Sequence, residues 1–576
     1  MKIHVNPNDK RYIFIQGENK EIKKLEQHLN KIPQYMLLPT FRGVPRPEVF
    51  LDKFQTKEQT IYYCAAGLWK EVYDFCINNK IECNKVPDSF KLTNFQLSKE
   101  QFHQYVLNWK LSLVPREYQI DAAWLILKYR QSLSELATRA GKTLILYIVA
   151  RAAMELMGVK KILLIVPSIH LVKQGAEDLS EYQEFFKSEQ IWSQGEHVDT
   201  ANLTIGTFQS LVLKADPRSK KYNPSFFQNY DFVCVDEAHK LPCKSIKQIL
   251  KLDFMKNVKI QFGFTGTLPK ENTIEYLCCQ AMMGPKIQEI TARELIDEGY
   301  LAEPIIQQIR IDYNAGYEDV LIKCAEYLCS NDVKKDGKTQ LLPKEQRLFT
   351  MTHQKTLPKP IQLIKQRYAK QEYIEYLKEM LRLSSQTLVL EQMMVQQSQT
   401  RLEVIDKIIN ELNKNVIVFA HNTEYINYLS THLKQKFPDR IIKKITGSTT
   451  LKKRQQVLDE MLKEDNVILV GSFGAVGTGL TFRNVDNAIF AQSFKSEIIT
   501  NQSLGRAMLL SPGKTQFNLF DIIDVFPSKK IYNQGLAKIR TYKEHQYKYS
   551  ISHFNTVYSK IDAQPIHLHT RTEISC

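Results

Sequence analysis

The sequence lacks long apolar runs and paired cysteines. None of its apolar stretches approaches the roughly 20 residues that a transmembrane helix needs. Its first residues, MKIHVNPNDKRYIF, lack the apolar core and the small-residue cleavage site of a secretory signal. The ten cysteines are scattered without a CxxC pair, which disfavours a zinc ribbon and a small disulfide framework. We therefore expect a cytoplasmic protein with reduced thiols and no membrane association.

Acidic residues are too few to balance the basic ones. Lys and Arg total 78 and Asp and Glu total 62, which gives a formal charge of +16 and a pI near 9.1. This excess favours a polyanionic partner, nucleic acid first, although a generic basic surface would give the same numbers. The length of 576 residues suggests three or four domains.

Two regions repeat one alternation of a compact apolar strand, a turn and an amphipathic helix. Near-continuous Val, Ile and Leu runs separated by helices predict parallel strands buried on both faces, hence two α/β lobes. The predicted strands of the first region are Lys161–Pro167, Leu203–Phe208, Asp231–Glu237 and Ile260–Thr267, and those of the second are Asn415–His421, Asn466–Ser472 and Asn487–Gln492.

The same patterns predict five segments. Residues 1–110 mix short apolar runs with helical stretches, typical of a small α+β domain. Residues 111–310 form the first lobe and residues 401–530 the second. Residues 311–400 are polar, rich in Lys and Gln and without strand pattern, which indicates a helical linker or insertion. Residues 531–576 form a basic, Tyr-rich C-terminal extension.

A phosphate-binding loop is predicted at LATRAGKT, which ends in Gly141, Lys142 and Thr143 and leads into an apolar helical run. Such a loop offers backbone N–H groups and a positive helix end to phosphate oxygens, here with Thr138 and Ala140. Lys142 would hold the β- and γ-phosphates of ATP, and the Thr143 hydroxyl would ligate Mg²⁺. The usual first Gly is a Leu, and a Gly-Lys-Thr tripeptide alone also arises by chance.

An acid pair follows the predicted strand VCVDEAH, where a nucleotide-binding sheet needs it. Asp236 would hold the magnesium ion, and Glu237 would orient and deprotonate the attacking water. The alternative is two exposed acids at a strand end. We assign His239 to coupling between domains rather than to catalysis.

The order of GKT, DEAH, FTGT and QSLGRA resembles that of superfamily 2 helicases. The resemblance implies two RecA-like parallel-sheet lobes in tandem and an ATP-dependent helicase that nucleic acid stimulates. It also implies that Thr265, Gly266 and Thr267 couple the ATP state to strand grip. Gln119 of PREYQ resembles the Gln that reads adenine, although a Gln before a helix is common.

Further positions match strand-gripping and cleft-closing motifs of that superfamily. Arg506 would reach the γ-phosphate, where an arginine stabilises transition-state charge. The second arginine of that motif is replaced by Leu509, which places the ATPase rate in question. In the first lobe, the residues implied to approach nucleic-acid phosphates are Pro167, Ser168, Thr207 and Gln209. In the second lobe, the resemblance also implies a catalytic role for Gln502 of the same motif as Arg506. Those implied to contact nucleic acid are Ser472 and Thr478, and those implied to contact the nucleotide are Gly477 and Gly479.

Within the superfamily, the chain resembles bacteriophage recombination helicases of the UvsW type, through LATRAGKT, LIDEGYLAEP, VGSFGAVGTGLTF and the ending LAKIRTYKEHQYKYSI. That resemblance implies branch migration, fork regression and unwinding of RNA–DNA hybrids by a monomeric motor in the host cytoplasm. It also implies an N-terminal nucleic-acid-binding domain. Arg139 departs from the pattern, because a small residue is usual there.

Three alternatives stay open on the sequence alone. One is the helicase subunit of a restriction or defence system, and another is a viral helicase that acts on transcripts. The third is a nucleic-acid clamp that binds ATP with little turnover, which Leu509 prompts and which intact Lys142, Asp236 and Glu237 disfavour.

Overall fold

The computed structural model of the chain describes most of both predicted lobes and the N-terminal domain. The described residues are 1–7, 9–32, 36, 47–56, 59–84, 95–182, 185–191, 201–312, 395, 398–476, 484–494, 497–510, 514–526, 529–555 and 573–575. They fall into two compact units, Met1–Thr291 and Ala292–Cys576. Among the helices of the described segments, none has both the length and the apolar character of a membrane span.

The N-terminal part of the first unit is an antiparallel sheet covered on one face by helices. Its strands are β1 (Lys2–Val5), β2 (Tyr12–Gln16), β3 (Leu51–Gln55) and β4 (Thr60–Ala65), in the order β1-β2-β4-β3. Helices α1 (Asn19–Leu29) and α2 (Trp69–Asn78) contribute to a core that contains Ile13, Ile15, Leu25 and Val72. Strand alternation explains this arrangement, because every second side chain of β2 is buried.

The first α/β lobe is a seven-stranded parallel sheet in the order β11-β5-β10-β9-β6-β8-β7. Its apolar central strands are buried throughout, as parallel strands between helices require. The strands are β5 (Gln131–Leu136), β6 (Ile162–Val166), β7 (Ser188–Ile191), β8 (Leu203–Thr207), β9 (Phe232–Asp236), β10 (Ile260–Thr265) and β11 (Lys286–Ile290). The helices are α3 (Lys99–Leu107), α4 (Glu117–Leu127), α5 (Lys142–Met157), α6 (Ile169–Tyr182), α7 (Phe208–Ala215), α8 (Lys244–Leu250) and α9 (Ile274–Met283).

The second unit is built on an eight-stranded sheet in the order β14-β15-β13-β16-β17-β12-β18-β19, parallel except for the pair β18–β19. The strands are β12 (Glu303–Asp312), β13 (Val416–Ala420), β14 (Ile441–Ile445), β15 (Val467–Ser472), β16 (Asn487–Phe490), β17 (Gln516–Val525), β18 (Lys548–Asn555) and β19 (Glu573–Ser575). The helices are α10 (Ala292–Asp297), α11 (Gln399–Asn410), α12 (Thr423–Lys436), α13 (Leu451–Lys463), α14 (Phe473–Val476), α15 (Glu497–Ala507) and α16 (Lys530–Glu544). The α/β class with two parallel-sheet lobes and a small α+β N-terminal domain is thus confirmed.

Two segment boundaries differ from those expected. Strand β12, expected at the end of the first lobe, pairs along its whole length with β17 and lies in the second sheet. Beyond residue 530, α16 buries Lys538 and Tyr542 in the second unit, and β18 pairs with β12. Backbone pairing and side-chain burial therefore make both segments part of the second unit. Of the expected insertion 311–400, most lies outside the described residues.

Charged side chains are buried in the core of the second unit. Arg401 is fully buried, contacts Asp524 and donates to the Ala491 carbonyl at 2.9 Å. Lys538 contacts Asp521, which also accepts a hydrogen bond of 3.0 Å from the Tyr542 hydroxyl. Because buried charges need partners, these pairs fix α11 and α16 against β17.

Candidate nucleotide-binding site

The site forms at one edge of the seven-stranded sheet of the first lobe, where three neighbouring strands end. Strand β10 lies between β5 and β9, with Thr265 opposite Glu135 and Phe264 opposite Asp236. Since carboxyl ends of parallel strands share an edge, the loop after β5, the acids after β9 and the turn after β10 come together. The structure thus gathers three segments that are far apart in the sequence.

The predicted phosphate loop leads directly into α5. Gly141 has φ +78° and caps the helix, which begins at Lys142. This left-handed conformation suits glycine, and the first N–H groups of a helix favour an anion. Ala140 is buried, and Thr143 is half-buried in the first turn of α5. The loop therefore has the backbone geometry that phosphate binding needs.

Gln119 supports the phosphate loop through its amide. Its Nε2 donates to the Ala140 carbonyl at 3.0 Å, and its Oε1 accepts from the Arg116 backbone N–H at 2.9 Å. The Tyr118 hydroxyl donates to the same Ala140 carbonyl at 3.1 Å. The side chain expected to read adenine thus lies at the loop and is only 4% exposed.

Arg139, the unusual residue of the loop, adopts φ +78°. This conformation costs an L-residue about 1–2 kcal/mol relative to the right-handed one. A glycine would avoid this cost because it has no Cβ.

Gly266, in the turn after β10, lies against Lys142 and Thr138. A Cβ added to Gly266 would lie 3.3 Å from Lys142 Nζ and 3.4 Å from Thr138 Oγ1. The lack of a side chain therefore leaves room beside the Lys142 ammonium. This contact places the expected coupling tripeptide next to the expected phosphate-binding lysine.

The acid pair after β9 is held in a defined conformation. Asp236 Oδ1 accepts from the Glu237 backbone N–H at 2.8 Å, and Glu237 has φ +55°. A positive φ is uncommon for residues other than glycine and is often found at functional sites. The carboxylates of Asp236 and Glu237 thus belong to a tight turn at the sheet edge.

Thr265 joins the acid pair to His239. Its hydroxyl lies 3.2 Å from Glu237 Oε2 and 2.9 Å from His239 Nδ1. His239 Nδ1 is also 3.2 Å from Glu237 Oε2. The same Thr265 hydroxyl accepts from the Thr267 backbone N–H at 3.4 Å. A shift of the turn after β10 would therefore reach the Glu237 carboxylate directly.

The first-lobe residues expected to contact nucleic acid form a second group at the same sheet edge. Thr207 caps α7 and ends β8, paired with Val166 at the end of β6. The exposed Gln209 donates from Nε2 to the Pro167 carbonyl at 3.4 Å, and Ser168 Oγ accepts from the Leu171 N–H at 3.4 Å. Thr207 and Ser168 thus also act as turn or cap residues.

Fewer of the second-lobe site residues fall within the described part of the chain. Ser472 ends β15, and its Oγ accepts from the Ala475 N–H at 3.2 Å. Gln502 and Arg506 lie on α15, with side chains outside the described residues. Gly477, Thr478 and Gly479 also lie outside them. Their roles stay predictions.

Leu509, where the helicase pattern has an arginine, forms an isolated backbone bridge with Leu301. The neighbouring Met508 carbonyl accepts from the Ala302 N–H at 2.8 Å. This segment therefore serves a structural contact inside the second unit.

Glu135 is a residue of the site edge that the sequence patterns did not single out. Burial raises the pKa of its carboxyl, opposed by the Leu268 N–H and by Lys286. Its Oε1 accepts from the Leu268 N–H at 2.9 Å, and Lys286 Nζ lies 3.3 Å from Oε2. The signal was an acid inside the otherwise buried strand β5. Glu135 thus braces the turn that carries Thr267.

The donor set at this edge fits magnesium together with a nucleotide. Mg²⁺ prefers oxygen ligands and takes only one or two of them from the protein when phosphate oxygens supply others. Thr143 offers a hydroxyl and Asp236 a carboxylate at the same edge. The described residues contain no larger cluster of metal-binding side chains.

Comparison with known protein families finds one match in each lobe. The res subunit of type III restriction enzymes matches residues 112–270, and the helicase conserved C-terminal domain matches residues 400–509. The ATP-dependent DNA helicase uvsW of Enterobacteria phage T4 is 24% identical over 488 residues, 80% of this chain and 82% of that protein.

Two further similarities involve a restriction enzyme and a solved structure. The type I restriction enzyme EcoKI endonuclease subunit of Escherichia coli strain K12 is 31% identical over 115 residues, 19% of this chain and 10% of that protein. The crystal structure of T4 UvsW covers 96% of this chain and 99% of its own, at 20% identity and a TM-score of 0.42.

Proposed function

This chain is an ATP-dependent helicase of superfamily 2 that resembles UvsW, and from that premise we propose that it remodels branched DNA. The proposed reactions are branch migration, fork regression and unwinding of RNA–DNA hybrids, driven by ATP and Mg²⁺. The observation that supports a working motor is the proximity of the phosphate loop, the acid pair and the turn after β10 at one sheet edge.

The residues of this edge divide the work of hydrolysis. The loop N–H groups at Gly141 and the ammonium of Lys142 bind the phosphates, and Thr143 and Asp236 hold the magnesium ion. That ion neutralises phosphate charge when bound. Glu237 orients the attacking water and accepts its proton. The helicase pattern assigns Arg506 of the second lobe to stabilising the charge of the transition state, a role that stays a prediction.

Coupling to nucleic acid runs through Thr265. Its hydroxyl contacts both Glu237 and His239, and Gly266 of the same turn lies beside Lys142. A change in the bound nucleotide therefore moves one hydrogen-bonded group rather than separate side chains. We assign strand grip to the exposed group around Pro167 and Gln209, whose contacts to phosphates position a strand without reading bases.

The choice of branched DNA as substrate rests on the relative named a DNA helicase, which matches across both lobes. The basic charge of +16 fits a polyanionic substrate. A monomeric motor in the host cytoplasm completes the proposal.

ATP turnover in Lys142→Ala and Glu237→Gln tests the motor. Both variants should lose nucleic-acid-stimulated hydrolysis, because each lacks one half of the catalytic edge. Lys259→Ala is the matched control, since Lys259 precedes β10 at the opposite edge and donates to the Gly158 carbonyl. Retained turnover in Glu237→Gln would refute its role as the base.

Unwinding of forks, four-way junctions and R-loops by wild-type protein tests the substrate. A motor for branched DNA should process forks and junctions faster than blunt duplexes. Equal rates on all of them would contradict the proposal.

The match to the EcoKI subunit favours a second candidate, the motor of a restriction system. Such a motor would translocate on unbranched duplex DNA, and its activity would require a separate nuclease or specificity subunit. Displacement of a triplex-forming strand from linear duplex DNA distinguishes this candidate from a branch-specific remodeller.

A further inference from the structure

A cavity of about 380 Å³ lies within the first unit, between the N-terminal sheet and the base of the motor sheet. We call it the junction cavity, defined by Tyr12, Tyr63, Gln131, Gln261 and Lys251 on its wall. Its volume lies within the range of small-ligand sites. The cavity is open on one side, so a ligand can enter from solvent.

One wall is the outer, aromatic face of the N-terminal sheet. Successive side chains of a strand point to opposite faces of the sheet. Ile13 and Cys64 therefore lie in the core, and Tyr12, Phe14 and Tyr63 lie on the other face. The rings form a continuous chain: Tyr12 and Tyr63 lie 5.8 Å apart, Tyr63 and Phe54 5.8 Å, and Phe54 and Phe14 6.2 Å. Phe54 is 42% exposed. Aromatic side chains on an open sheet form a common surface for stacking bases.

The opposite wall contains two amides at the start of motor strands. Gln131 begins β5 and is 9% exposed, and its Oε1 has no hydrogen-bond partner among the described residues. Gln261 is 5% exposed, and its Nε2 is satisfied by the Met282 carbonyl. A buried acceptor without a donor destabilises the fold, because it has lost its hydrogen bonds to water. A ligand with an N–H group directed at Gln131 would remove that penalty.

Cations surround the same cavity. Arg11, Lys247 and Lys251 line it, and Lys251 is exposed. Arg11 donates to the Lys251 and Leu252 carbonyls at 3.2 Å, which joins the N-terminal sheet to the motor lobe. Two acids, Glu48 and Asp52, also line the cavity and pair with Lys247 and the Tyr63 hydroxyl. Because Arg11 is paired with Asp9 at 2.7 Å and Lys247 with Glu48 at 3.2 Å, the exposed Lys251 is the lining cation that can contact a ligand phosphate.

The junction cavity is separate from the nucleotide-binding site. Gln131 and Leu136 lie at opposite ends of β5, so one six-residue strand separates the two sites. At about 3.3 Å per residue this is roughly 17 Å. The ligand of the cavity is therefore not the ATP molecule bound at the phosphate loop.

We propose that the junction cavity binds one unpaired nucleotide of the nucleic-acid substrate. The base stacks on Tyr63, whose ring lies at 80° to that of Tyr12, an N–H of the base donates to Gln131 Oε1, and the phosphate lies near Lys251. Stacking tolerates any base, because each has a π-face. The inference rests on the proposed action on nucleic acid and adds a single-strand contact remote from ATP. Such a contact favours junctions, where unpaired nucleotides occur.

The test uses full-length protein and a duplex with a short single-stranded tail that carries 2-aminopurine, whose fluorescence falls when it stacks. Tyr63→Ala should weaken binding of the tailed duplex about tenfold, since one stacked base contributes about 1–3 kcal/mol. Binding of a blunt duplex should not change. Gln131→Leu should weaken tail binding severalfold by removing the acceptor.

Two controls keep the result specific. Tyr63→Phe retains the ring and should bind like wild type, and Tyr222→Ala removes a tyrosine that is 45% exposed and absent from the cavity wall. Tail affinity in Tyr63→Ala equal to that in Tyr222→Ala would overturn the inference. Thermal unfolding of each variant excludes loss of fold as the cause.

Two further arms separate the remaining outcomes. Millimolar thymidine monophosphate should leave the 2-aminopurine fluorescence of the bound strand quenched. Recovery of that fluorescence would assign the cavity to free nucleotides and overturn the strand contact. ATPase stimulation of Tyr63→Ala by blunt duplex should match that of wild type. If no polynucleotide stimulated ATP hydrolysis by the wild-type protein, the proposed function itself would be refuted, whatever the cavity binds.

Discussion

Replacing Gly141 with Ala should destabilise the protein and impair ATP binding together. Gly141 has φ +78°, where an Ala costs about 1–2 kcal/mol. The added Cβ would also overlap Gln119 Nε2. Gln119 would then lose its bonds to the Ala140 carbonyl and the Arg116 N–H, each contributing about 1 kcal/mol. The expected loss of unfolding free energy is about 3–4 kcal/mol.

Gly158 at the other end of α5 provides the matched control. It has φ +64°, and the space around its Cβ position is empty to 4 Å among the described residues. Gly158→Ala therefore incurs the conformational cost of about 1–2 kcal/mol without the collision. Denaturant unfolding should show a difference of about 2 kcal/mol between the two variants. The KM for ATP should rise at least tenfold in Gly141→Ala and stay unchanged in Gly158→Ala.

Equal destabilisation of the two variants would show that Gln119 moves aside without loss. An unchanged KM in Gly141→Ala would show that the loop does not bind the phosphates. Either result would contradict the role given to this contact.

Three other substitutions test separate parts of the structure. Burial raises the pKa of Asp178 to about 6, so the folded state binds its proton more tightly than the unfolded chain, and stability should fall as pH rises from 4 to 6. Asp178→Asn should lack this slope in unfolding measured across that range; an identical slope would refute the assignment. Thr265→Val should lower DNA unwinding at least tenfold more than ATP turnover, and parallel losses would contradict its coupling role. Lys538→Met removes the cation that contacts the buried Asp521 carboxylate and should lower unfolding free energy by about 3–5 kcal/mol, whereas Lys543→Met on the exposed side of the same helix should change it little.

The parallel strands and the site edge were predictable because both follow from short-range patterns. The apolar runs ILLIV and FVCV within these strands contain no charged side chain, so their burial can be read directly from the sequence. Motif residues that follow such strands must meet at the carboxyl edge once the strands are parallel. Thus Lys142 and Asp236 could be placed at one edge from the sequence alone.

Strand β12 and helix α16 could not be placed in this way. Their buried faces carry polar residues that are satisfied only by distant partners. Gln308 on β12 donates to Asp521 at 3.2 Å and Lys538 on α16 contacts the same carboxylate, although both side chains are buried. A hydrophobic pattern treats Gln and Lys as solvent-facing, so it excludes these segments from the core. Strand β12 and helix α16 belong to the second unit because their polar side chains contact distant charged residues, and apolar periodicity does not reveal such contacts.

The two departures of the phosphate loop from the usual pattern differ in their conformational cost. Leu136 is the last residue of β5, fully buried and paired with Ile290, so its backbone is extended and needs no glycine. Arg139 adopts a positive φ, so its side chain carries a conformational cost that a glycine would avoid. Gly141, in the same loop, has both a positive φ and a neighbour that leaves no room for a Cβ. The loop can therefore tolerate the changes at positions 136 and 139 while its geometry still depends on Gly141.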